Sequence, residues 1–215
     1  MMKFPILLII LFLPFTVVGE RLIVGHFSAG DLGDWQSRAF QGETDYRISE
    51  TSGNLALRAV SDGQASGLYR EIHINLTETP YIRWSWKIDN ILEGIDERTR
   101  DGDDFPARVY VVASGGALFW RTRSLVYVWS SHQPVDSLWQ NPYTGNARHI
   151  AVRSGPEQTG RWLEESRNLR EDWERAFGDS IDGIDAVAIM TDTDNSGLAA
   201  SAWYGDIMFS SQPSD

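Results

Sequence analysis

Two short acidic segments contain the residues best suited to chemistry in this chain: residues 101–104 (DGDD) and residues 192–197 (DTDNSG). Each lies at one end of an apolar run typical of a buried strand, and oxygen-rich loops on a rigid sheet can bind Ca²⁺ or a sugar. In the second segment Asp192, Asp194 and Ser196 alternate before a glycine, as in the first half of an EF-hand loop. The sequence therefore predicts these three residues as Ca²⁺ ligands.

The second half of an EF-hand is missing. The twelfth position of the loop, where a bidentate Glu is required, is Trp203. Residues 186–191, before the loop, have the pattern of a strand and not of a helix. An EF-hand is excluded, and two interpretations stay open: a Ca²⁺ loop of another type, and an Asx-rich turn whose carboxylates accept backbone hydrogen bonds.

The first acidic segment is followed closely by an arginine. Neighbouring carboxylates repel one another unless a cation or a proton intervenes, so Arg108 is expected to pair with Asp103 or Asp104. The same carboxylates could accept hydrogen bonds from sugar hydroxyls, or one could belong to a glycosidase pair with a separation of about 5–5.5 Å or about 6.5–9.5 Å. Further carboxylates that could complete such a pair are Asp192, Asp194 and Asp206.

Other catalytic arrangements fail on residue types and spacing. The chain has no cysteine, which excludes a thiol nucleophile and a cysteine zinc site. Its four histidines are scattered, and no two of them have the i, i+4 spacing of a metal motif. A Gly-x-Ser-x-Gly motif and a glycine-rich phosphate loop are also absent from the sequence.

Short apolar runs separated by turn-forming residues predict an all-β fold, a jelly-roll-like antiparallel sandwich of two sheets. One short helix is expected at about 169–177, because Asn168 and Glu171 form a capping pair and Gly178 can end the helix. The predicted strands are 22–26, 46–50, 54–59, 67–74, 81–88, 107–113, 124–130, 147–152, 161–167, 186–191 and 203–209.

Alternation along the strands predicts which side chains share a face. Trp84 and Trp86 are expected in the core, together with Val126, Val128 and Trp203. The opposite faces then combine charged and aromatic groups, which predicts either a covering layer or a binding surface for a polar ligand. With the carboxylates at the strand ends, the predicted ligand-binding set is Arg83, Asp103, Asp104, Arg108, Tyr110, Tyr127, Trp129 and Asp206.

The first 19 residues have the features of a secretory signal peptide: one lysine, an apolar core and a small residue before Glu20. Cleavage would leave a single domain, 20–215, with a formal net charge of −12 in place of −11, because only Lys3 is lost. An acidic domain of this kind disfavours nucleic acid and anionic membrane surfaces as partners. Export without cysteine predicts a periplasmic or secreted protein of a Gram-negative bacterium, and its oligomeric state stays open.

Seven motifs in order along the chain give a resemblance to a known family. They are Gly42-x-Thr44-x-Tyr46, Ala65-Ser66-Gly67-Leu68, Trp84-x-Trp86, Gly102-Asp103-Asp104-Phe105, Tyr127-x-Trp129, Phe177-Gly178 and Thr191-Asp192-Thr193-Asp194-Asn195. Together they resemble the bacterial family called domain of unknown function 3047. The resemblance implies an exported, β-rich protein without an assigned activity, and a fold similar to the jelly-roll sandwiches of carbohydrate-binding modules.

Three functional hypotheses follow. The leading one is non-catalytic binding of a glycan or another small polar ligand, with Tyr110, Tyr127 and Trp129 stacking and the charged residues bonding hydroxyl groups. The second is a glycoside hydrolase or lyase that uses two aspartates. The third is a structural envelope protein in which the acidic loops hold the sandwich together, with Ca²⁺ as the only cofactor considered.

Overall fold

The computed structural model describes residues 20–214, so the predicted signal peptide, 1–19, lies outside the described residues. Thirteen strands, one α-helix, α1 (Leu169–Phe177), and three short 3-10 helices make up the regular structure of this part of the chain. The strands are β1 (Arg21–Gly25), β2 (Gln36–Gln41), β3 (Asp45–Thr51), β4 (Asn54–Asp62), β5 (Ala65–Asn75), β6 (Tyr81–Ile88), β7 (Phe105–Ala113), β8 (Arg123–Ser130), β9 (Leu138–Gln140), β10 (Ala147–Ser154), β11 (Leu163–Asn168), β12 (Gly183–Asp192) and β13 (Ala199–Ser210).

The strands form two sheets that pack face to face. The first sheet has the order β11-β6-β13-β4-β3, with β1 also paired to β13, and the second has the order β2-β5-β12-β7-β8-β10-β9. The predicted all-β sandwich of two sheets with one packed helix is confirmed. Within residues 20–214 every strand pair is antiparallel except β8 with β10, which run parallel.

Strands β2 and β9 were not predicted from the sequence. All six residues of β2 are exposed, so its sequence lacks the apolar alternation that marks a half-buried strand. Strand β9 has only three residues, which is too short for a periodic signal. Both strands pair at the edges of the second sheet, where backbone hydrogen bonds to one neighbour are enough to hold a short strand.

The core between the sheets is rich in aromatic side chains. Trp84 and Trp86 point inward from β6, as predicted. The ring of Trp84 stacks on Tyr127 at a centroid distance of 5.2 Å, and Trp86 packs against Trp129 at 5.9 Å. Tyr127 and Trp129 are thus inside the core and fully buried, so the prediction that they face outward to stack on a ligand was wrong.

The error on β8 has a physical reason. Val126 and Val128, on the other face of this strand, are also fully buried, in a second apolar cluster with Phe105 and Trp139. Since both faces of the strand are covered, alternation separates the residues into two sets without showing which set faces the main core.

A β-bulge changes the faces of β13. Tyr204 is opposite Trp86 and Ile207 is opposite Trp84, so two residues, 205 and 206, lie opposite the single Ser85. The bulge moves Tyr204 into the core with Ile207 and leaves Trp203 partly buried on the outer face. The prediction that Trp203 lies in the core was wrong, because an inserted residue inverts the alternation on one side of the bulge.

Helix α1 begins and ends where predicted. The Asn168 side chain accepts a hydrogen bond from the Glu171 backbone N–H, and Gly178 closes the helix in the left-handed conformation. Leu169 and Trp173 are fully buried against the main core. Within residues 20–214, no helix has the length and apolar character needed to cross a membrane.

Candidate functional site

The predicted ligand-binding residues do not share one face. Arg83 and Asp206 lie on the outer face of the first sheet, and Tyr110 lies on the outer face of the second sheet, on the opposite side of the sandwich. The predicted face therefore divides into two surfaces separated by the core. The remaining members are buried: Asp103, Asp104, Arg108, Tyr127 and Trp129.

Arg108 is the centre of a buried ionic network on the outer side of the second sheet. Its Nε donates to Asp192 Oδ1 at 2.8 Å, and its Nη2 donates to the Asp103 carbonyl oxygen at 2.9 Å and contacts Asp192 Oδ2. Its Nη1 lies 3.5 Å from Asp103 Oδ1, which confirms the expected pairing of Arg108 with the first acidic segment. The Arg108 side chain is only 4 % exposed, so these bonds connect two strand ends and the guanidinium is not presented to a ligand.

The carboxyl of Asp103 has an unusual environment. Burial raises the pKa of Asp103 to about 6, although Arg108 and the Asn141 amide, which donates to Oδ2 at 2.9 Å, act in the opposite direction. His149 Nε2 lies 3.9 Å from Asp103 Oδ1, and neither ring nitrogen of this fully buried histidine has a hydrogen-bond partner. Burial, followed by repulsion from Arg108, holds the pKa of His149 well below its usual value.

Asp104 joins the two acidic segments. Its carboxylate accepts hydrogen bonds from the backbone N–H of Asn195 at 3.3 Å and of Ser196 at 2.6 Å. Carboxylates that accept backbone hydrogen bonds were one of the two interpretations that the sequence left open. Here, however, the carboxylate belongs to the first acidic segment and the N–H groups belong to the second. The two acidic loops are thereby held together at one edge of the sandwich.

The expected Ca²⁺ site stays a prediction with an altered ligand set. Carboxylate oxygens of Asp104, Asp192 and Asp194 lie within 4.8 Å of one another, a spacing that suits ligands at about 2.3–2.6 Å from one ion. Burial and then the negative charge of Asp104 raise the pKa of Asp194, and a bound cation would lower this pKa again. Ser196, the third ligand expected from the sequence, is not in this cluster, and its hydroxyl accepts a hydrogen bond from the Leu198 backbone N–H. Asp104 takes its place as the third carboxylate, which sequence reasoning missed.

Calcium binding predicts a shift in thermal stability. In excess Ca²⁺ we expect the melting midpoint of the wild type to rise relative to EDTA, by an amount that corresponds to about 2.7 kcal/mol at a hundredfold excess over Kd. The Asp194→Asn variant should lose this difference, and Glu78→Gln, a change at an exposed carboxylate outside the cluster, should retain it. Equal midpoints of the wild type in Ca²⁺ and EDTA, measured by calorimetry, would remove the ion from the description of these loops.

Part of the outer face of the second sheet is covered by a second layer. The ring of His149 packs edge-on against Phe105 and Trp139, with centroid distances of 5.2 and 5.3 Å. These rings close over Val126 and Val128. The covering layer that the sequence offered as one alternative is present here, over the half of the sheet nearest β9.

The other half of this face is an open groove of about 420 Å³, which we call the second-sheet groove. Its floor is made of small residues, among them Gly67, Ala186 and Ala188, and its walls carry the rings of Phe40, Tyr69 and Tyr110. The full lining, from β2, β5, β12, β7 and β8, is Arg38, Phe40, Gly67, Leu68, Tyr69, Glu71, Tyr110, Val112, Ser124, Ala186, Ala188, Ile189 and Met190.

Neighbouring contacts hold the walls of the second-sheet groove. The Tyr69 hydroxyl donates to Gln36 Oε1 at 3.0 Å, and the guanidinium of Arg38 lies over the Phe40 ring at 5.4 Å from its centroid. A Cβ on Gly67 would come within 3.1 Å of the Ile189 carbonyl oxygen, so a larger residue would disturb the floor. Sequence reasoning missed Phe40 because it lies on the unpredicted strand β2.

The first sheet carries a second open surface, which we call the first-sheet groove. It consists of two adjoining hollows of about 360 and 250 Å³, which share Ser85, Glu164 and Asp206 in their linings. Asp206 is held in place by Ser28, whose backbone N–H and hydroxyl donate to its two oxygens at 2.8 and 2.6 Å. Sequence reasoning missed Glu164, because no face was assigned to the predicted strand 161–167.

The aspartates of the hydrolase hypothesis are engaged in structural contacts. Asp192 is paired with Arg108, Asp104 accepts two backbone hydrogen bonds, and Asp206 accepts two from Ser28.

The fold and the two grooves define a β-sandwich domain with an open surface on each outer face. Comparison with protein families identifies it further: the chain belongs to the family described as protein of unknown function (DUF3047), whose model matches residues 33–208. The resemblance inferred from the sequence motifs is thereby confirmed. Comparison with curated proteins found no match.

Several solved structures share the general sandwich architecture. A family 11 carbohydrate-binding module of a Clostridium thermocellum cellulosomal cellulase has a TM-score of 0.49 at 9 % identity, over 88 % of this chain and 94 % of that one. A Cel12A cellulase derived from that of Rhodothermus marinus has a TM-score of 0.49 at 14 % identity, over 88 % and 99 %. A family 30 module from Clostridium thermocellum has 0.47 at 11 %, over 84 % and 93 %.

Proposed function

We propose that this protein binds a glycan, without catalysis, in the second-sheet groove. The observation that carries the proposal is the Phe40 ring, which is 62 % exposed on the wall of a groove whose floor is made of glycine and alanine. An exposed ring is costly in water and contributes nothing to the core from this position. Exposed apolar patches rimmed by polar groups are typical of binding sites.

The lining matches the chemistry of a sugar ring, which has apolar C–H faces and polar edges. Phe40, Tyr69 and Tyr110 provide ring faces for stacking. Arg38 and Glu71 lie in the same lining and provide donors and acceptors for hydroxyl groups. This division between an apolar body and a few polar groups is the usual composition of a small-molecule site.

The groove suits a chain of sugars better than a single one. Its lining comes from five adjacent strands, β2, β5, β12, β7 and β8, and adjacent strands are about 4.8 Å apart. The proposal includes a periplasmic or secreted location, where glycans are present. The net charge of −11 supports a ligand other than nucleic acid or an anionic membrane, since like charges repel.

Affinity electrophoresis through gels that contain a panel of polysaccharides tests the proposal. We expect at least one polysaccharide to retard the wild type, and Phe40→Ala to weaken that binding about tenfold, the typical effect of truncating a central aromatic contact. Trp120→Ala is the matched control, because its ring is also exposed, at 58 %, but lies outside the groove lining. Ala188→Trp should block binding independently by filling the floor.

Two results would contradict this proposal. One is a wild type that no glycan retards. The other is binding that Phe40→Ala and Ala188→Trp leave unchanged, which would place the ligand elsewhere on the protein.

A further inference from the structure

We infer that the first-sheet groove is a second sugar-binding site, on the opposite side of the sandwich from the second-sheet groove. The inference shares the ligand class of the proposed function but depends on different residues. Its basis is the β-bulge in β13, the two carboxylates that flank Ser85, and a tryptophan beside them.

The bulge in β13 provides the floor of this groove. Gly205 and Asp206 both lie opposite Ser85 of β6, so two consecutive residues face outward where a regular strand would contribute one. A Cβ on Gly205 would come within 2.1 Å of Ser85 Oγ, so a side chain there would fill the floor. Bulges are over-represented next to active sites, and this bulge places an anchored carboxylate beside a residue without a side chain.

A second carboxylate lies across the floor. Glu164 of β11 is the register partner of Ser85, and it is exposed. Strands β11 and β13 are on either side of β6, so the Cα atoms of Glu164 and Asp206 are about 10 Å apart, twice the usual strand spacing. A sugar ring placed over Ser85 would have a hydrogen-bond acceptor on each side.

The remaining groups favour a neutral, hydroxyl-rich ligand. The lining holds three carboxylates, of which Glu165 is paired with Arg153. Arg83 lines one end of the groove, and Lys87 donates to Thr51, which lines the other end, so the remaining two carboxylates are balanced by two cationic groups. Trp162 lines the end at Thr51, with Lys87 Nζ 5.7 Å from its ring centroid, whereas the second indole, Trp84, is buried in the core. A mixed lining of carboxylates, hydroxyls and the Trp162 indole gives donors, acceptors and a stacking surface without selecting a charged ligand.

Two sites on opposite faces would let one molecule hold two glycan segments at once. The grooves face away from each other across the core, so a single short oligosaccharide cannot occupy both. Binding to a polymer at two sites raises the overall affinity through effective concentration, without any new contact.

A microarray of neutral and charged oligosaccharides, probed with six proteins, tests the inference. They are the wild type, Phe40→Ala, Ala188→Trp, Glu164→Gln, and Ala188→Trp combined with Glu164→Gln or with Glu93→Gln. We expect Ala188→Trp, with the second-sheet groove filled, still to bind at least one neutral oligosaccharide. Adding Glu164→Gln should weaken that remaining binding about tenfold, since it removes a charge-assisted hydrogen bond. Adding Glu93→Gln, a change at an exposed carboxylate outside both linings, should leave it unchanged.

The possible results distinguish binding in the second-sheet groove from binding in the first-sheet groove. Binding that is lost in Ala188→Trp and unchanged by Glu164→Gln overturns the second site and leaves the proposed function intact. Binding that is unchanged by Ala188→Trp and Phe40→Ala but lost in Glu164→Gln supports the second site and overturns the first. No binding by the wild type to any oligosaccharide overturns both, and residual binding confined to charged oligosaccharides overturns the neutral ligand class.

Discussion

Replacing Arg108 with methionine is expected to lower the free energy of unfolding by about 3–5 kcal/mol, because removing one partner leaves a buried charge without compensation. The carboxylate of Asp192 is fully enclosed, and its oxygens bond to this guanidinium. The Asp103 carbonyl oxygen would lose its hydrogen bond as well. Urea denaturation of the wild type and variant measures the effect.

A matched change on the surface should have little effect. Arg47 pairs with Asp45 through one hydrogen bond of 2.7 Å, and both side chains are exposed. We expect Arg47→Met to cost less than about 1 kcal/mol, since exposed ion pairs contribute little. The double variant Arg108→Met, Asp192→Asn should be more stable than Arg108→Met alone, because the uncompensated charge is removed. Equal losses in Arg108→Met and Arg47→Met would contradict a buried network.

Truncating Trp129 to alanine is expected to destabilise the protein by about 3–5 kcal/mol, as large-to-small changes in a packed core do. The indole is fully buried against Trp86, and its N–H donates to the Gly155 carbonyl oxygen at 3.2 Å. A cavity between the sheets and an unsatisfied carbonyl would both result. Chemical denaturation gives the loss directly, and Trp129→Phe should give a smaller loss if the alanine variant does not fold.

This variant separates two predictions for the same residue. From the sequence, Trp129 was expected to stack on a ligand, so its truncation would reduce binding and leave stability unchanged. From the structure, stability should fall, whereas Trp120→Ala, which truncates an exposed ring, should leave the unfolding free energy nearly unchanged. A Trp129→Ala protein as stable as the wild type would contradict its position in the core.

Much of the architecture could be predicted from local patterns. The strands and helix α1 follow from side-chain periodicity and capping residues, which act over a few positions and leave a clear signal. Trp84 and Trp86 were placed correctly because their strand has polar residues on its other face. The same reasoning failed for Tyr127 and Trp129, since β8 is buried on both faces.

The candidate site depended on information that local patterns lack. Arg108 was expected to pair with the first acidic segment, but its bond to Asp192 joins residues 84 positions apart. Such a contact follows from the pairing of β7 with β12, which residue spacing in the sequence does not predict. Phe40 was missed because β2 was not predicted, and Glu164 because no face was assigned to the predicted strand 161–167.

The sequence by itself determined the fold class, the helix and its caps, and the family motifs, because each of these depends on residues that are close together in the chain. The tertiary structure alone decided which face of β8 packs on the core and that the bulge in β13 turns Tyr204 inward. It also decided that the predicted ligand face divides into two grooves. These outcomes depend on the pairing of distant strands and on what covers each face. For the same reason the two acidic segments, which the sequence offered as candidate sites, form a buried connection between strand ends.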